Sequence, residues 1–444
     1  MSKKVFLKGT LILTCTGLVS RIAGFFYRIF LSHAIGAEGL GLYQLILPLQ
    51  GLMAALSYTG IQSALSRLIA SRLALQEKKE AYFSLVTGIF AAVFFSAVTG
   101  FLLFRHADFF ASTILKAPGT SDLLRLTAAS IPLCAIHSCI DSYYYARKKA
   151  SVPAAVQLSE QAVRIGATYI LYLIFLSEGR PVTAMIAAGG SLAGEAAASL
   201  ISLLMVSFHF GNHPVKEKTS VKIFPLIKDL FTLSFTISLN RILLTLLGSI
   251  EAVLIPQMLI RCGMTSSEAL KIYGIFTGMA LPLLLFPSTL TTSAAVMLMP
   301  SVARMDALGD QKQIRHVTDQ TFFLCMFLGF LCGSGFFLFG PFLGTLLFHS
   351  KTAGTYIRYL SFICPFLYTN TMLASILQGL GRPGRCLIHS AAGILIRIFS
   401  VVFMIPAIGI RGYFYGIFLG ELLLSLLHVK ALKFPYRQAG DNRL

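Results

Sequence analysis

Long, nearly continuous apolar stretches make up most of this sequence, and short polar segments rich in lysine and arginine separate them. Each stretch reaches the length of about 20 residues that a helix needs to cross a bilayer. The pattern therefore predicts an all-α polytopic membrane protein with about 12 transmembrane helices. The predicted spans are 9–32, 40–69, 81–104, 122–146, 152–177, 182–209, 223–259, 270–302, 317–348, 355–379, 386–407 and 411–432.

Composition supports this class and limits the partners. Hydrophobic residues make up 56% of the 444 residues and charged residues only 12%, which excludes a soluble multidomain protein. The formal net charge is +19, but the basic residues cluster in alternate loops, as the positive-inside rule requires, so nucleic acid is not a predicted partner. The even number of spans and this charge pattern predict the cytoplasmic membrane, with both termini in the cytoplasm.

The sequence contains no pattern that indicates an enzyme. No GxxxxGK stretch, Ser/His/Asp set or pair of catalytic acids is present, so we expect neither catalysis nor a cofactor. The eight cysteines are scattered through apolar runs without the spacing of a metal site or of a disulfide framework. We therefore interpret them as small core residues and predict no metal site.

Two arginines, Arg21 and Arg28, lie inside the first apolar stretch. An arginine near the bilayer centre costs roughly 2.5–3.5 kcal/mol even on lenient scales, so contact with lipid is disfavoured. Seven residues are nearly two helical turns, so both guanidinium groups share one helix face with Gly17 and Gly24. This cationic face is expected to border protein or a water-filled cavity.

Further charged residues lie inside the later spans. Glu160 and Arg164 are four residues apart, in the favourable order for an ion pair on one helix. Glu195 and Glu421 each follow a glycine, which favours close helix contact and pairing with an arginine of another helix. We interpret these four residues as structural or coupling charge pairs.

An internal repeat relates the two halves of the chain. It predicts a six-helix bundle over residues 1–210, a cytoplasmic linker over 211–222 and a second bundle with a short basic tail over 223–444. Parallel repeats of six spans would be related by a pseudo-twofold axis along the membrane normal, with a central cavity between them. The matched pairs are Lys8 with Lys228, Arg21 with Arg241, Arg164 with Arg397, and Glu195 with Glu421.

Arginines equal or outnumber acids inside the predicted membrane region. A cavity with surplus arginine favours an anion, and the guanidinium fork suits phosphate. The predicted substrate class is an amphiphile with a phosphate headgroup. The candidate substrate-binding residues are Arg21, Arg28, Arg241 and Arg397.

Two stretches, residues 5–45 (VFLKGTLILTCTGLVSRIAGFFYRIFLSHAIGAEGLGLYQL) and 239–303, resemble the stage V sporulation protein B family of polysaccharide flippases. The resemblance covers nearly the whole chain. It implies the superfamily of the lipid II flippase and the multidrug and toxin extrusion transporters, with two six-helix bundles and export of a lipid-linked wall precursor. Ser20-Arg21-x-x-Gly24 matches the first-helix motif whose arginines serve the pyrophosphate in the lipid II flippase, and Arg28 lies one residue beyond the second of those arginines.

The chain also departs from the lipid II flippase pattern. The acid that follows the first helix has no counterpart near Tyr43, and the second-half arginine is missing from residues 273–287, where Arg241 is the candidate substitute. Two other functions stay open: cation-coupled multidrug efflux on the same fold, and a non-transporting scaffold for wall synthesis. The expected partners are a lipid-linked oligosaccharide pyrophosphate, membrane lipid and cell-wall synthases, and the resemblance implies spore cortex peptidoglycan and the membrane around the forespore.

Overall fold

A computed structural model describes the backbone of residues 3–212 and 223–433, and the side chains of residues 15–212, 225–235 and 238–432. These residues form helices joined by short turns, and no strand occurs among them. Helices occupy all 12 predicted spans, so the predicted all-α class is confirmed, but spans 40–69, 270–302, 355–379 and 386–407 are each divided between consecutive helices. Most of the predicted linker and the basic tail lie outside the described residues.

The described chain forms two compact units. Unit 1 contains the described residues up to Gln257 together with Thr265–Gly278. Its helices are α1 (Lys3–Ala34), α2 (Gly36–Ser57), α3 (Thr59–Ala74), α4 (Lys78–Arg105), α5 (Ala107–Phe109), α6 (Ser121–Ala146), α7 (Ser151–Ser177), α8 (Met185–Asn212), α9 (Ile223–Arg261, of which all but the last four residues belong here) and α10 (Ser266–Gly274).

Unit 2 contains Met258–Met264 and the described residues from Met279 onward. The predicted division of the chain at residues 211–222 stays a prediction, because residues 213–222 lie outside the described part. The helices of unit 2 are α11 (Leu281–Leu285), α12 (Ser288–Ala307), α13 (Gln311–Phe348), α14 (Lys351–Leu360), α15 (Cys364–Gly379), α16 (Pro383–Phe403), α17 (Ile405–Ile408) and α18 (Ile410–Lys433).

Ten helical segments within the described residues are long and apolar enough to cross a membrane. The two remaining predicted spans correspond to α1 and α7, which carry the arginines and acids singled out above. Phenylalanines and leucines remain exposed along α4 and α13, as expected for helices that border lipid (for example Phe90, Phe101, Phe323 and Phe327).

The predicted span over residues 270–302 is divided, and a proline lies at its last break. Residues 270–302 were predicted as a single span, but α10, a π-helical segment, α11 and α12 follow one another there. Pro287 immediately precedes α12, because proline lacks the N–H that a continuous helix would use at that point. Pro48 and Pro256 instead lie inside continuous helices, α2 and α9.

Inside unit 1, α2 and α10 approach each other through glycine. A Cβ built on Gly41 would lie 2.1 Å from the carbonyl oxygen of Leu270, and one on Gly274 would lie 2.0 Å from that of Ala37. Both distances are far below van der Waals contact, so the two backbones touch directly. Small residues permit such backbone contact between helices in a membrane.

We expect Gly41→Ala to destabilise the protein by about 1–3 kcal/mol, because the added methyl group overpacks a backbone contact that cannot move alone. Thermal unfolding of the purified protein in detergent measures this. Gly248→Ala is the matched control, since a Cβ at that helical glycine meets no atom within 4 Å. Equal melting temperatures for the two variants would contradict the close-contact account.

Candidate functional site

Arg164 of α7 lies at the centre of a buried ionic cluster in unit 1. Its Nη2 contacts Glu160 one helical turn earlier on α7, and it lies 3.2 Å from Oε1 of Glu195 on α8. The helical pair predicted from the i, i+4 spacing is therefore present. The second acid, from another helix, ties α7 to α8.

Glycines on one face of α8 allow these charges to meet. A Cβ on Gly194 would lie 3.0 Å from Cβ of Arg164, and one on Gly190 would lie 1.9 Å from the hydroxyl of Thr168. The two helices are therefore too close for any other residue at Gly190. Glu195 follows Gly194, so its carboxylate packs against α7. Only 8% of Glu195 is exposed to solvent there.

The third helix of the cluster is α6, which contributes His137. Its Nε2 lies 2.9 Å from Oε2 of Glu195, and its Nδ1 lies 3.9 Å from Oδ2 of Asp141. Cys134, one turn before His137, is also buried at this point, and its sulfur, an imidazole nitrogen of His137 and a carboxylate oxygen of Glu195 all lie within 4.8 Å of one another. We call Cys134, His137, Asp141, Glu160, Arg164 and Glu195 the unit 1 cluster.

Unit 2 contains a matching but simpler arrangement. Arg397 of α16 lies 3.4 Å from Oε1 of Glu421 on α18. Asn370 of α15 donates its side-chain N–H to Oε2 of Glu421 at 2.8 Å, and the hydroxyl of Ser425 donates to Oδ1 of Asn370 at 2.6 Å. A Cβ on Gly420 would lie 3.0 Å from Cγ of Arg397, so glycine again allows the close approach.

The internal repeat therefore has a structural meaning within each unit: an arginine, a carboxylate after a glycine, and a polar side chain from a third helix. His137 and Asn370 precede their respective arginines by the same number of residues, 27. In this register Cys134, Asp141 and Glu160 correspond to Leu367, Ala374 and Gly393. At these four positions unit 1 carries a thiol, an imidazole and two carboxylates, whereas unit 2 carries no titratable side chain.

The remaining predicted substrate arginines lie in α1 and α9 of unit 1. Arg21 and Arg241 are exposed, and Arg28 is half-buried. Next to them, the phenol of Tyr27 lies 3.0 Å from the hydroxyl of Thr168, which fixes α1 against α7. The assignment of Arg21, Arg28, Arg241 and Arg397 to substrate stays a prediction, and so does a coupling role for the acids. Lys8 lies outside the described side chains.

Sequence reasoning missed three polar members of these clusters, His137, Asp141 and Asn370, and treated Cys134 as a core residue only. A signal was available, because the register that aligns Arg164 with Arg397 also aligns His137 with Asn370. What the sequence could not supply was the direction of each side chain. The contact between α6 and α8 decides it for His137, and the contact between α15 and α18 decides it for Asn370.

Comparison with known proteins places the chain in a family. The model of a family described as polysaccharide biosynthesis protein matches residues 6–306. The chain belongs to this family. It is 30% identical to stage V sporulation protein B of Bacillus subtilis (strain 168) over 440 residues, which covers 96% of the chain and 83% of that protein. The resemblance stated from the sequence is therefore confirmed.

Solved structures show the same fold. A lipid II flippase MurJ in an inward closed conformation matches with a TM-score of 0.72 at 14% identity, covering 96% of the chain and 88% of that structure. An inward-facing multidrug resistance transporter of the MATE family matches with a TM-score of 0.68 at 16% identity, covering 93% and 95%. The member of the polysaccharide biosynthesis family described here is thus a multi-pass membrane protein with the two-lobed fold of those transporters.

We expect three neutral glutamine variants to lower stability in a fixed order. Glu195→Gln should cost most, about 3–5 kcal/mol, because it leaves both Arg164 and His137 without their shared buried carboxylate. Glu160→Gln should cost less, because Arg164 keeps Glu195, and it should impair folding more than activity. Glu178→Gln, at an exposed pair with Arg180, should change stability by at most about 1 kcal/mol. Thermal unfolding in detergent gives the order, and any other order would contradict the network.

Proposed function

We propose that the chain moves a lipid-linked cell-wall oligosaccharide precursor, similar to lipid II, across the cytoplasmic membrane by alternating access. The sporulation relative favours the spore cortex as the destination of the precursor and the membrane around the forespore as the location. Both termini lie in the cytoplasm, in accord with the positive charge of the loops on that side. The protein acts as a transporter and not as an enzyme.

The observation that carries this proposal is Arg28. The residue is half-buried in α1, and no carboxylate of the described residues lies within the 4.0 Å of an ion pair with it. A guanidinium withdrawn from water without a counter-ion is costly, so an anion from outside the protein supplies the missing partner. A phosphate suits this role because it accepts two parallel N–H bonds from one guanidinium.

The ion pairs within the two units support two different roles for the arginines, helix contact and substrate binding. Arg164 and Arg397 contact buried carboxylates and hold helices together. Arg21, Arg28 and Arg241 are proposed to bind the pyrophosphate of the headgroup. Arg241, like Arg28, has no carboxylate of the described residues within ion-pair distance. The lipid tail of the substrate stays in the membrane, so only the polar headgroup needs such contacts.

A second candidate function is cation-coupled multidrug efflux. The observation in its favour is the MATE-family fold match together with the acids and histidine of the unit 1 cluster. An efflux protein of this kind should protect a sensitive host against cationic drugs. A scaffold for wall synthases, the third alternative, would keep its cellular role after every transport-blocking substitution.

Reconstitution tests the proposed activity directly. Purified protein in liposomes that contain fluorescently labelled lipid II should expose the label to an external quencher faster than protein-free liposomes do. A lipid with the same tail but no phosphate should not be moved, because it offers nothing to the arginines. Transport of cationic drugs without movement of lipid II would replace this proposal by the efflux function.

Arg28→Ala should lower the rate of lipid II movement about tenfold or more, because a hydrogen-bonded charge pair contributes about 1.5–3 kcal/mol. Arg21→Ala should have a similar effect, and Arg21→Lys should restore only part of the rate, since an ammonium cannot fork onto phosphate. Rates in liposomes, normalised to the amount of folded protein, provide the measurement. Arg125→Ala is the control, because Arg125 is a partly exposed arginine whose charge is already paired with Asp108 and Asp122. Wild-type rates in Arg28→Ala would remove the phosphate-binding role.

A further inference from the structure

We propose that Cys134, His137 and Glu195 form a binding site for a divalent transition-metal ion of the zinc type. One ligand atom from each residue lies within 4.8 Å of the other two. In a tetrahedral zinc site, metal–ligand bonds of about 2.0–2.3 Å place ligand atoms roughly 3.3–3.8 Å apart, so small side-chain adjustments complete the geometry. Sulfur, imidazole nitrogen and carboxylate oxygen are the three ligand types that zinc takes from proteins.

The backbone presents these ligands without distortion. Cys134 and His137 are three residues apart on α6, so their side chains leave the same face of the helix. Glu195 comes from α8, which packs along α6, and the hydroxyl of Ser199 one turn later donates to the carbonyl of Leu133 at 2.6 Å. That hydrogen bond fixes the register of the two helices beside the three ligands.

A second carboxylate, that of Asp141, lies near the ring nitrogen of His137 that would not bind the metal. Nε2 of His137 faces Glu195, whereas Nδ1 faces Asp141 at 3.9 Å. That Nδ1 atom and Oδ1 of Asp141 are buried side-chain atoms without a hydrogen-bond partner among the described residues. Metal-bound histidines almost always donate their other N–H to a carboxylate, a backbone carbonyl or water, so with a metal on Nε2 the Nδ1–H would have the Asp141 carboxylate as its acceptor. Asp141 is then a positioning residue.

The charges of the cluster can accommodate a dication. Arg164 is balanced by Glu160, and its contact with Glu195 uses Oε1, which leaves Oε2 for the metal. A thiolate and a neutral imidazole are the forms that bind metal. Metal entry therefore exchanges a dication for the thiol proton of Cys134 and for any proton carried by His137, so the net charge of this low-dielectric region rises by at most one unit.

Unit 2 shows that packing alone does not require these ligands. Its equivalent positions hold Leu367 and Asn370, and only Glu421 retains a ligand. The arginine–carboxylate pair and the glycine contact nevertheless form there. The thiol and the imidazole occur in unit 1 only. Both lie next to Glu195, whose equivalent in unit 2 is Glu421.

Cobalt(II) titration of the purified full-length protein in detergent tests this site, because cobalt replaces zinc and is coloured. We expect one equivalent per chain, a thiolate-to-cobalt charge-transfer band in the near ultraviolet, intense visible bands of tetrahedral cobalt, and loss of all bands when zinc is added. Proton release into weak buffer should accompany binding. The measurement requires no transport activity, so it stands apart from the proposed function.

Substitutions identify the ligands. Cys134→Ser should abolish the charge-transfer band, and His137→Asn should weaken binding at least tenfold while keeping the fold, since unit 2 already places asparagine there. Asp141→Asn should weaken it about 10–100-fold through the histidine. Cys139→Ser, which removes a buried thiol of the same helix outside the ligand set, should leave the spectrum unchanged.

Three outcomes would overturn the proposal: no saturation near one equivalent, a charge-transfer band that survives in Cys134→Ser, or equal loss in Cys139→Ser. If Cys134→Ser fails to fold, thiol alkylation of the wild-type protein replaces that test. Zinc should then protect one thiol from alkylation, and mass spectrometry should locate that thiol at Cys134. Protection of another cysteine, or of none, counts against the site.

Discussion

The structure depends on one physical constraint: a charge carried into the membrane needs a counter-charge, and the buried glutamates of both units have theirs inside the protein. Glu195 meets this constraint in unit 1 by contacting Arg164 on one side and His137 on the other. Three helices, α6, α7 and α8, are thereby held at fixed positions by one carboxylate. Glu421 has the same role in unit 2, where Arg397 and Asn370 are its partners. Loss of either carboxylate would remove a buried counter-charge from the arginine that it contacts.

These contacts exist because glycine removes the steric barrier to them. Gly194 and Gly420 each precede the critical glutamate, and a Cβ at either would lie 3.0 Å from an arginine side chain. In a membrane, lipid offers no hydrophobic drive for helices to associate, so close backbone packing and polar contacts supply the attraction. The same glycine that allows close packing also brings the carboxylate within reach of its partner. Close helix packing and the arginine–carboxylate contact therefore depend on the same glycine.

The two units differ in the side chains that surround the arginine–carboxylate pair. Unit 2 keeps the minimal set, with a neutral asparagine as the third partner, whereas unit 1 adds a thiol, an imidazole and two more acids. The arginine–carboxylate pair forms in unit 2 without a thiol and an imidazole, so the helix contact does not require those two groups. Phosphate recognition by the arginines of α1 and α9 and metal binding by the unit 1 cluster are separate proposals. They involve different side chains and can fail independently.

The sequence by itself determined the class, the spans and the existence of intramembrane charge pairs. Hydropathy fixes the class and most of the spans locally, because a span must be long and apolar whatever it packs against. The i, i+4 spacing likewise indicated the pair of Glu160 with Arg164, and the repeat indicated that Arg164 and Arg397 are equivalent. Only the tertiary structure decided which carboxylate meets which arginine across helices, and that Cys134 and His137 converge on Glu195. Those contacts depend on helix rotation and on close approach at glycines. A linear pattern does not encode either, because both result from packing between segments far apart in the chain.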